Sequence, residues 1–241
     1  MRKLKIARIM NGFVISLTIA SVAFFPLAVS APASAGESID NSRLGYSAYF
    51  PAPAPSGERP AVLVVFPGYG LKASHTVNDW AFSAEQNGMA TVSLDMDYDD
   101  IRRMGDVERR VEAVLEDVQK TRQVDAQRVV IAGTAVGGML AISLGLAYPE
   151  RYAGVAVAGG GALRSVDWAG LSNARKQAFF MVHGAKNTYV PLSEFNATVK
   201  NLKDYGARVQ SEVLPESDHL LPSHAYDRLI TGLAGELQPN E

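Results

Sequence analysis

The chain has 241 residues, 47% of them hydrophobic, and a formal net charge of −2 at pH 7. That balance excludes a polycationic nucleic-acid surface and a strongly acidic tail, and it supplies enough apolar residues for one sizeable α/β core. Cysteine is absent, which excludes disulfides, thiolate metal sites, a cysteine nucleophile and a lipidated cysteine anchor.

The N-terminus reads as a leader. Arg2, Lys3, Lys5 and Arg8 make a basic start, an apolar run from Ile9 to Val29 follows, and "APASAGES" supplies small residues at Ala33 and Ala35. This pattern predicts a signal peptide over 1–35, cleaved after Ala35. An uncleaved anchor is the competing reading, because the run approaches spanning length. Pro26 inside the run and the A-x-A site argue for cleavage, hence for a periplasmic or secreted bacterial protein with no stable membrane anchor. Residues 36–241 are then expected to form one domain.

"RLGYSAYF" (43–50) alternates as a strand. "FPAPAPSGERP" (50–60) is a Pro-rich surface connection. "AVLVVF" (61–66) is a continuous apolar run, as in a strand buried on both faces of a parallel sheet. "HTVNDWAFSAEQNG" (75–88) predicts a helix ending at Gly88, and "MATVSLD" (89–95) the next strand. From Asp106 to Arg122, Val107, Val111, Val114, Leu115 and Val118 share one face of a surface helix. "RVVIAG" (128–133) is a strand, and residues 137–148 form a helix stopped before Pro149. "YAGVAVAGG" and "AFFMVHG" are short apolar strands. Leu192, Phe195, Val199 and Leu202 mark a helix ended by Gly206. "VQSEVLP" is a last strand and "HAYDRLITGLAGEL" a last helix. Strands alternating with helices predict an open, mostly parallel sheet covered on both faces, with ligands at the carboxyl ends of its strands.

Three loops at those ends carry unusual residues. "FPGYGLKASH" follows the strand ending at Phe66. "GTAVGG" (133–138) has the Gly-x-x-x-Gly spacing of a tight strand-to-helix elbow, which lifts residue 135 into the open and sets the Val136 N–H at a helix start. "SDHLLP" puts His219 in a loop beyond the last strand.

On these residues the chain resembles the α/β-hydrolase superfamily, closest to its exported esterase, polyester (PHB) depolymerase-like or dienelactone-hydrolase-like group. The resemblance covers nearly all of residues 36–241. It rests on "VDAQRVVIAGTAVGG", "HGAKNTYVP" and "DHLLP" in that order, against the group's G-x-S-x-G-G, H-G-x-x-D-x-x-V-P and late His. It implies an α/β-hydrolase fold with little or no lid and an ester substrate, small or polymeric. It also implies acyl transfer by a nucleophile at 135, an acid at 187 and the base His219. The oxyanion would be held by the backbone N–H groups of Tyr69 and Val136. The first loop has Pro67-Gly68 where the group has His-Gly, a tolerable change where backbone makes the hole.

The departures are decisive. Position 135 is Ala and position 187 is Asn; only His219 of the three remains. Losing the nucleophile costs about 10⁶-fold in kcat in a well-studied serine protease. An Asn at the acid position costs about 10⁴-fold by favouring the wrong His tautomer. Ordinary serine-esterase turnover is therefore expected to be close to absent. Two readings stand: a serine esterase with its nucleophile and acid replaced, or a natural pseudoenzyme that binds ligands in the old pocket. His219 acting as a base on a bound substrate is a third, weaker possibility.

Other polar residues have plainer expected roles. Thr134 should point away from the top of the elbow, Ser143 should be packed or solvated, and His183 should shape a strand end. His75 and His224 should lie at the surface or rim, and Asp218 in a loop. "DMDYDD" (95–100) alternates carboxylates, but lacks the Gly and Glu of an EF-type loop, so a solvated acidic loop is expected. Asn196-Ala197-Thr198 is a formal glycosylation sequon of no consequence in a bacterial protein. No metal, cofactor or nucleic-acid partner is suggested by the sequence.

Overall fold

The computed structural model describes residues 36–101 and 103–238; the leader reading for residues 1–35 lies outside them. Eight strands form one sheet in the order β1-β2-β4-β3-β5-β6-β7-β8. They are β1 (Glu37–Asn41), β2 (Tyr46–Phe50), β3 (Ala61–Phe66), β4 (Met89–Leu94), β5 (Asp125–Thr134), β6 (Val155–Ala158), β7 (Ala178–Gly184) and β8 (Arg208–Leu214). β1 and β2 run antiparallel at one edge, and β3 to β8 are parallel.

The apolar runs sit where continuous hydrophobicity puts them. Every residue of β3, β4, β6 and β7 is buried, because helices cover both faces of the sheet. Alternation along β3 then divides its side chains. Val62, Val64 and Phe66 face the layer of α2 (Met104–Thr121), α3 (Val136–Ala147) and α4 (Leu192–Asp204). Leu63 and Val65 face α1 (Ala73–Gln86) and α5 (Ser223–Glu236). Each such side chain contributes about 1.5–3 kcal/mol when fully buried. The Val107, Val111, Val114, Leu115 and Val118 stripe of α2 is buried as its spacing predicts.

β1 was not expected. "ESIDN" has one strong strand former, Ile39, and its burial is that of an exposed edge. It exists because β2 offers it a ladder, not because of its own propensity. The short 3-10 turns at Leu163–Ser165 and Leu171–Lys176 also had no periodic signal. α1 starts two residues earlier than the sequence suggests. Asp95, from the loop after β4, accepts a hydrogen bond from the Ala73 N–H at 3.0 Å and so extends the helix N-terminally.

This arrangement brings the carboxyl ends of the parallel strands to one edge of the sheet. The loops after β3, β4, β5, β6, β7 and β8 meet there.

Candidate active site

At the end of β5 the chain must turn into α3 within one residue, and that residue is Ala135. Its φ is 52° and its ψ −117°; among the described residues it is the only non-glycine with positive φ. A side chain in that region costs on the order of 1–3 kcal/mol. The strain is enforced from all sides. The Ala135 N–H donates to Ala158 O at 2.9 Å, and Ala135 O accepts from Gly138 N–H at 3.1 Å. A Cβ on Gly133 would stand 2.2 Å from Gly137 O, and one on Gly137 2.2 Å from Phe66 O. Only glycine at 133 and 137 lets helix and strands pass this closely, which is the physical content of the Gly-x-x-x-Gly spacing. The elbow thus holds position 135 in a strained, closely packed turn, and the side chain there is a methyl group.

Beside it lies the loop after β7. Asn187 is 5% exposed and every polar atom of its amide is used. Oδ1 accepts from the backbone N–H of Tyr189 at 3.0 Å and of Val190 at 3.1 Å. Nδ2 donates to Gly159 O at 3.0 Å. Two backbone donors on one end and a backbone acceptor on the other decide which end is oxygen. The oxygen end is also the one that faces the late histidine: His219 Nδ1 lies 3.3 Å from Asn187 Oδ1. With a carbonyl oxygen there, Nδ1 carries the proton and Nε2 keeps its lone pair. The expectation that Asn187 imposes the wrong tautomer therefore does not hold for this network.

His219 is half-buried, and desolvation lowers its pKa below the usual value, partly offset by the neighbouring Asp218 carboxylate. It is thus predominantly neutral at pH 7. The ring packs on Tyr189 with centroids 4.8 Å apart. Gly159 admits the His219 loop: its φ is +65° and a Cβ there would stand 3.0 Å from His219 O. The next residue, Gly160, passes Ala135 O more closely still, 2.3 Å from a Cβ there. The turn after β6 is therefore the shared support of the elbow and of the histidine loop.

The loop after β3 completes the site. A Cβ on Gly68 would be 3.8 Å from Ala135 Cβ, so this backbone faces the elbow, and Tyr69 carries the next N–H. Val136 is the first residue of α3, so its N–H is among those with no acceptor inside the helix. The acidic loop after β4 fastens the β3 loop. Tyr98 donates its hydroxyl to Pro67 O, and burial pushes that phenol well above its ordinary pKa. The Tyr69 hydroxyl donates to Asp99 at 2.8 Å, and the two tyrosine rings stack at 6.5 Å. Asp97 accepts from the Asp99 N–H at 3.1 Å, and Asp95 caps α1 as described. The loop is solvated as expected, with Asp95, Asp97, Asp99 and Asp100 all exposed, and it is also a structured brace. Among the described residues no group of three or more His, Asp or Glu is placed to hold a metal ion.

The remaining candidates fall elsewhere. Ser143 is buried, donating to Met139 O at 2.8 Å and accepting from the Asp167 N–H at 2.9 Å. The Thr134 hydroxyl is buried, with no hydrogen-bond partner among the described residues. His183 is fully buried, its Nε2 2.9 Å from Val190 O, stacked on Phe195. Burial lowers its pKa, so it braces the Asn187 loop in the neutral form. His75 and His224 are exposed, and Asp218 accepts from the Leu220 N–H at 2.9 Å. Sequence reasoning missed Tyr98, Gly159 and Gly160. The glycine run "AGGG" directly after a strand was the available signal for the last two; a tyrosine between aspartates gave none. A groove of about 890 Å³ lies at the opposite end of the sheet between residues 50–60 and 119–124, away from this chemistry.

Residues 91–233 match the phospholipase/carboxylesterase family. No curated protein matches the sequence. Solved structures share the fold at low identity. A truncated carbohydrate esterase from gut microbiota has a TM-score of 0.68 at 12% identity, covering 86% of this chain and 98% of its own. The fluorophosphonate-binding serine hydrolase F of Staphylococcus aureus, substrate-bound, has 0.67 at 12% identity, covering 85% and 100%. A Bacteroides ovatus protein of the dipeptidyl aminopeptidase IV type has 0.61 at 15% identity, covering 79% of this chain; the chain spans only 33% of that protein.

Proposed function

Because this chain belongs to the phospholipase/carboxylesterase family of α/β-hydrolases, we propose that its pocket still binds an ester or a carboxylic acid, while acyl transfer through a serine is lost at Ala135. The observation that carries this reading is the strained backbone of Ala135. A strain of this size persists only where the surroundings enforce it, and here they enforce the geometry of a nucleophile. The carbohydrate esterase and the serine hydrolase among the structural relatives act in the same fold, which supports an ester as the ligand class. The basic start, apolar run and A-x-A site support an exported protein. The second reading, a binding protein with no turnover at all, is favoured by Asn187, whose amide is fitted to three backbone groups.

The test is direct. p-Nitrophenyl butyrate hydrolysis is measured for the chain as it stands and for Ala135→Ser, with butyrate binding followed by calorimetry. The proposal expects butyrate to bind both proteins and Ala135→Ser to gain several orders of magnitude in kcat/KM. Two folded proteins that neither bind butyrate nor differ in rate would refute it.

A further inference from the structure

Ala135 removes the nucleophile, yet the group that would have activated it is still set for work. The Asn187 amide is pinned by Tyr189 N–H, Val190 N–H and Gly159 O, so its oxygen meets His219 Nδ1. That leaves Nε2 as a fixed proton acceptor. No neighbouring hydroxyl can take the serine's place. Ser143, inside α3, is committed to Met139 O and the Asp167 N–H, and the Thr134 hydroxyl is buried away from solvent. Replacing a serine hydroxyl by a methyl hydrogen frees the space of one oxygen atom at the tip of the elbow, beside the position of the reacting carbonyl.

We propose that His219 hydrolyses a bound ester by activating a water molecule directly, with no acyl-enzyme. This rests on the reading of the pocket as an ester site. The water oxygen forms a bond to the ester carbonyl carbon as one of its protons passes to His219 Nε2. The carbonyl π pair moves to oxygen, where the Val136 and Tyr69 N–H groups face it. Collapse re-forms the carbonyl and breaks the bond to the alkoxy oxygen. The imidazolium returns its proton to the leaving alcohol, or to solvent when the leaving group is a stable phenolate. The products are the acid and the alcohol, and His219 is neutral again. Asn187 orients the ring but brings no negative charge to the imidazolium, so the reaction is slow. Oxyanion donors and binding leave about 10³-fold over water when a serine triad loses a member, and a rate of at least that order is expected, with His219 adding to it as the base.

The experiment uses the full chain and p-nitrophenyl butyrate, after treatment with a fluorophosphonate to silence any serine esterase carried over from the host. Steady release at least about 10³-fold above buffer is expected, with no initial burst and no diversion of the acyl group to added hydroxylamine. The rate should rise with pH through the deprotonation of His219 and then level off, with its midpoint below the ordinary histidine value. His219→Gln should lose at least about tenfold, falling towards what binding and the oxyanion donors supply by themselves; should that variant fail to fold, the pH profile of the unaltered chain still decides. A burst, a fluorophosphonate-sensitive rate, a flat pH profile, or turnover undiminished in folded His219→Gln would each overturn the inference. Butyrate binding without turnover would overturn it too, but would leave the ligand-binding reading intact. Neither binding nor turnover would remove both.

Discussion

On the proposed reading, the elbow at Ala135 and the loop at Asn187 both lack the atoms that a serine esterase needs, and they differ in how their surroundings treat the residue present. At the elbow nothing has adjusted. The backbone keeps a conformation that alanine disfavours, clamped by Gly133, Gly137 and the turn after β6. At the acid position the substituent belongs. The Asn187 amide donates to a carbonyl that a carboxylate would repel, and its oxygen gathers two backbone N–H groups and the histidine. A backbone constraint outlives the side chain it served, whereas a buried polar position accepts only what its neighbours can pair.

The contrast can be broken at either end. The largest effect is expected from Gly137→Ala, whose new Cβ would stand 2.2 Å from Phe66 O. Backbone has nowhere to yield, so a loss above about 4 kcal/mol is expected, read as insoluble protein or a collapsed urea midpoint. Near-normal stability in this variant would mean that the elbow is soft. Asn187→Leu comes next. It strands two N–H groups and a carbonyl in a buried site, for a cost of about 3 kcal/mol by urea unfolding.

Asn187→Asp is a subtler probe of the same network. One carboxylate oxygen would face Gly159 O where Nδ2 now donates, costing about 1–3 kcal/mol at neutral pH. That contact raises the aspartate pKa in the folded state. The penalty should shrink as pH falls through that raised pKa, because the protonated acid can again donate to Gly159. Urea midpoints of the two proteins compared across pH would show this convergence; a gap that widens on acidification would contradict it. The smallest effect is a gain. Ala135→Gly removes the positive-φ penalty, less the added chain entropy of glycine, for a net stabilisation of about 1 kcal/mol. An elbow that gains nothing from glycine carries no strain.

Much of this was legible in the sequence, for identifiable reasons. Continuous runs such as "AVLVVF" and the α2 stripe encode burial directly, so the parallel sheet and its helices follow from periodicity. The spacing of Gly133 and Gly137 announced the elbow because close backbone approach leaves no other residue type. β1 was not legible, since its stability comes from the partner strand. The tautomer was not legible either. Whether Asn187 presents oxygen or nitrogen to His219 depends on Tyr189 N–H, Val190 N–H and Gly159 O, and backbone groups have no letter in a sequence. The bracing role of Asp95, Tyr98 and Asp99 was hidden similarly, because the acids are solvated as their run suggests and their partners are a backbone N–H, a carbonyl and a tyrosine hydroxyl.

The central claim is that the site is a serine-esterase site lacking one oxygen atom. Ala135→Ser restores that oxygen, and the most direct measurement is covalent labelling of this variant by a fluorophosphonate, followed by intact mass. The account predicts stoichiometric labelling at position 135, abolished by adding His219→Gln, and no labelling of the chain as it stands. A folded Ala135→Ser protein that stays unlabelled would contradict it, because the elbow would then present a hydroxyl that His219 does not activate.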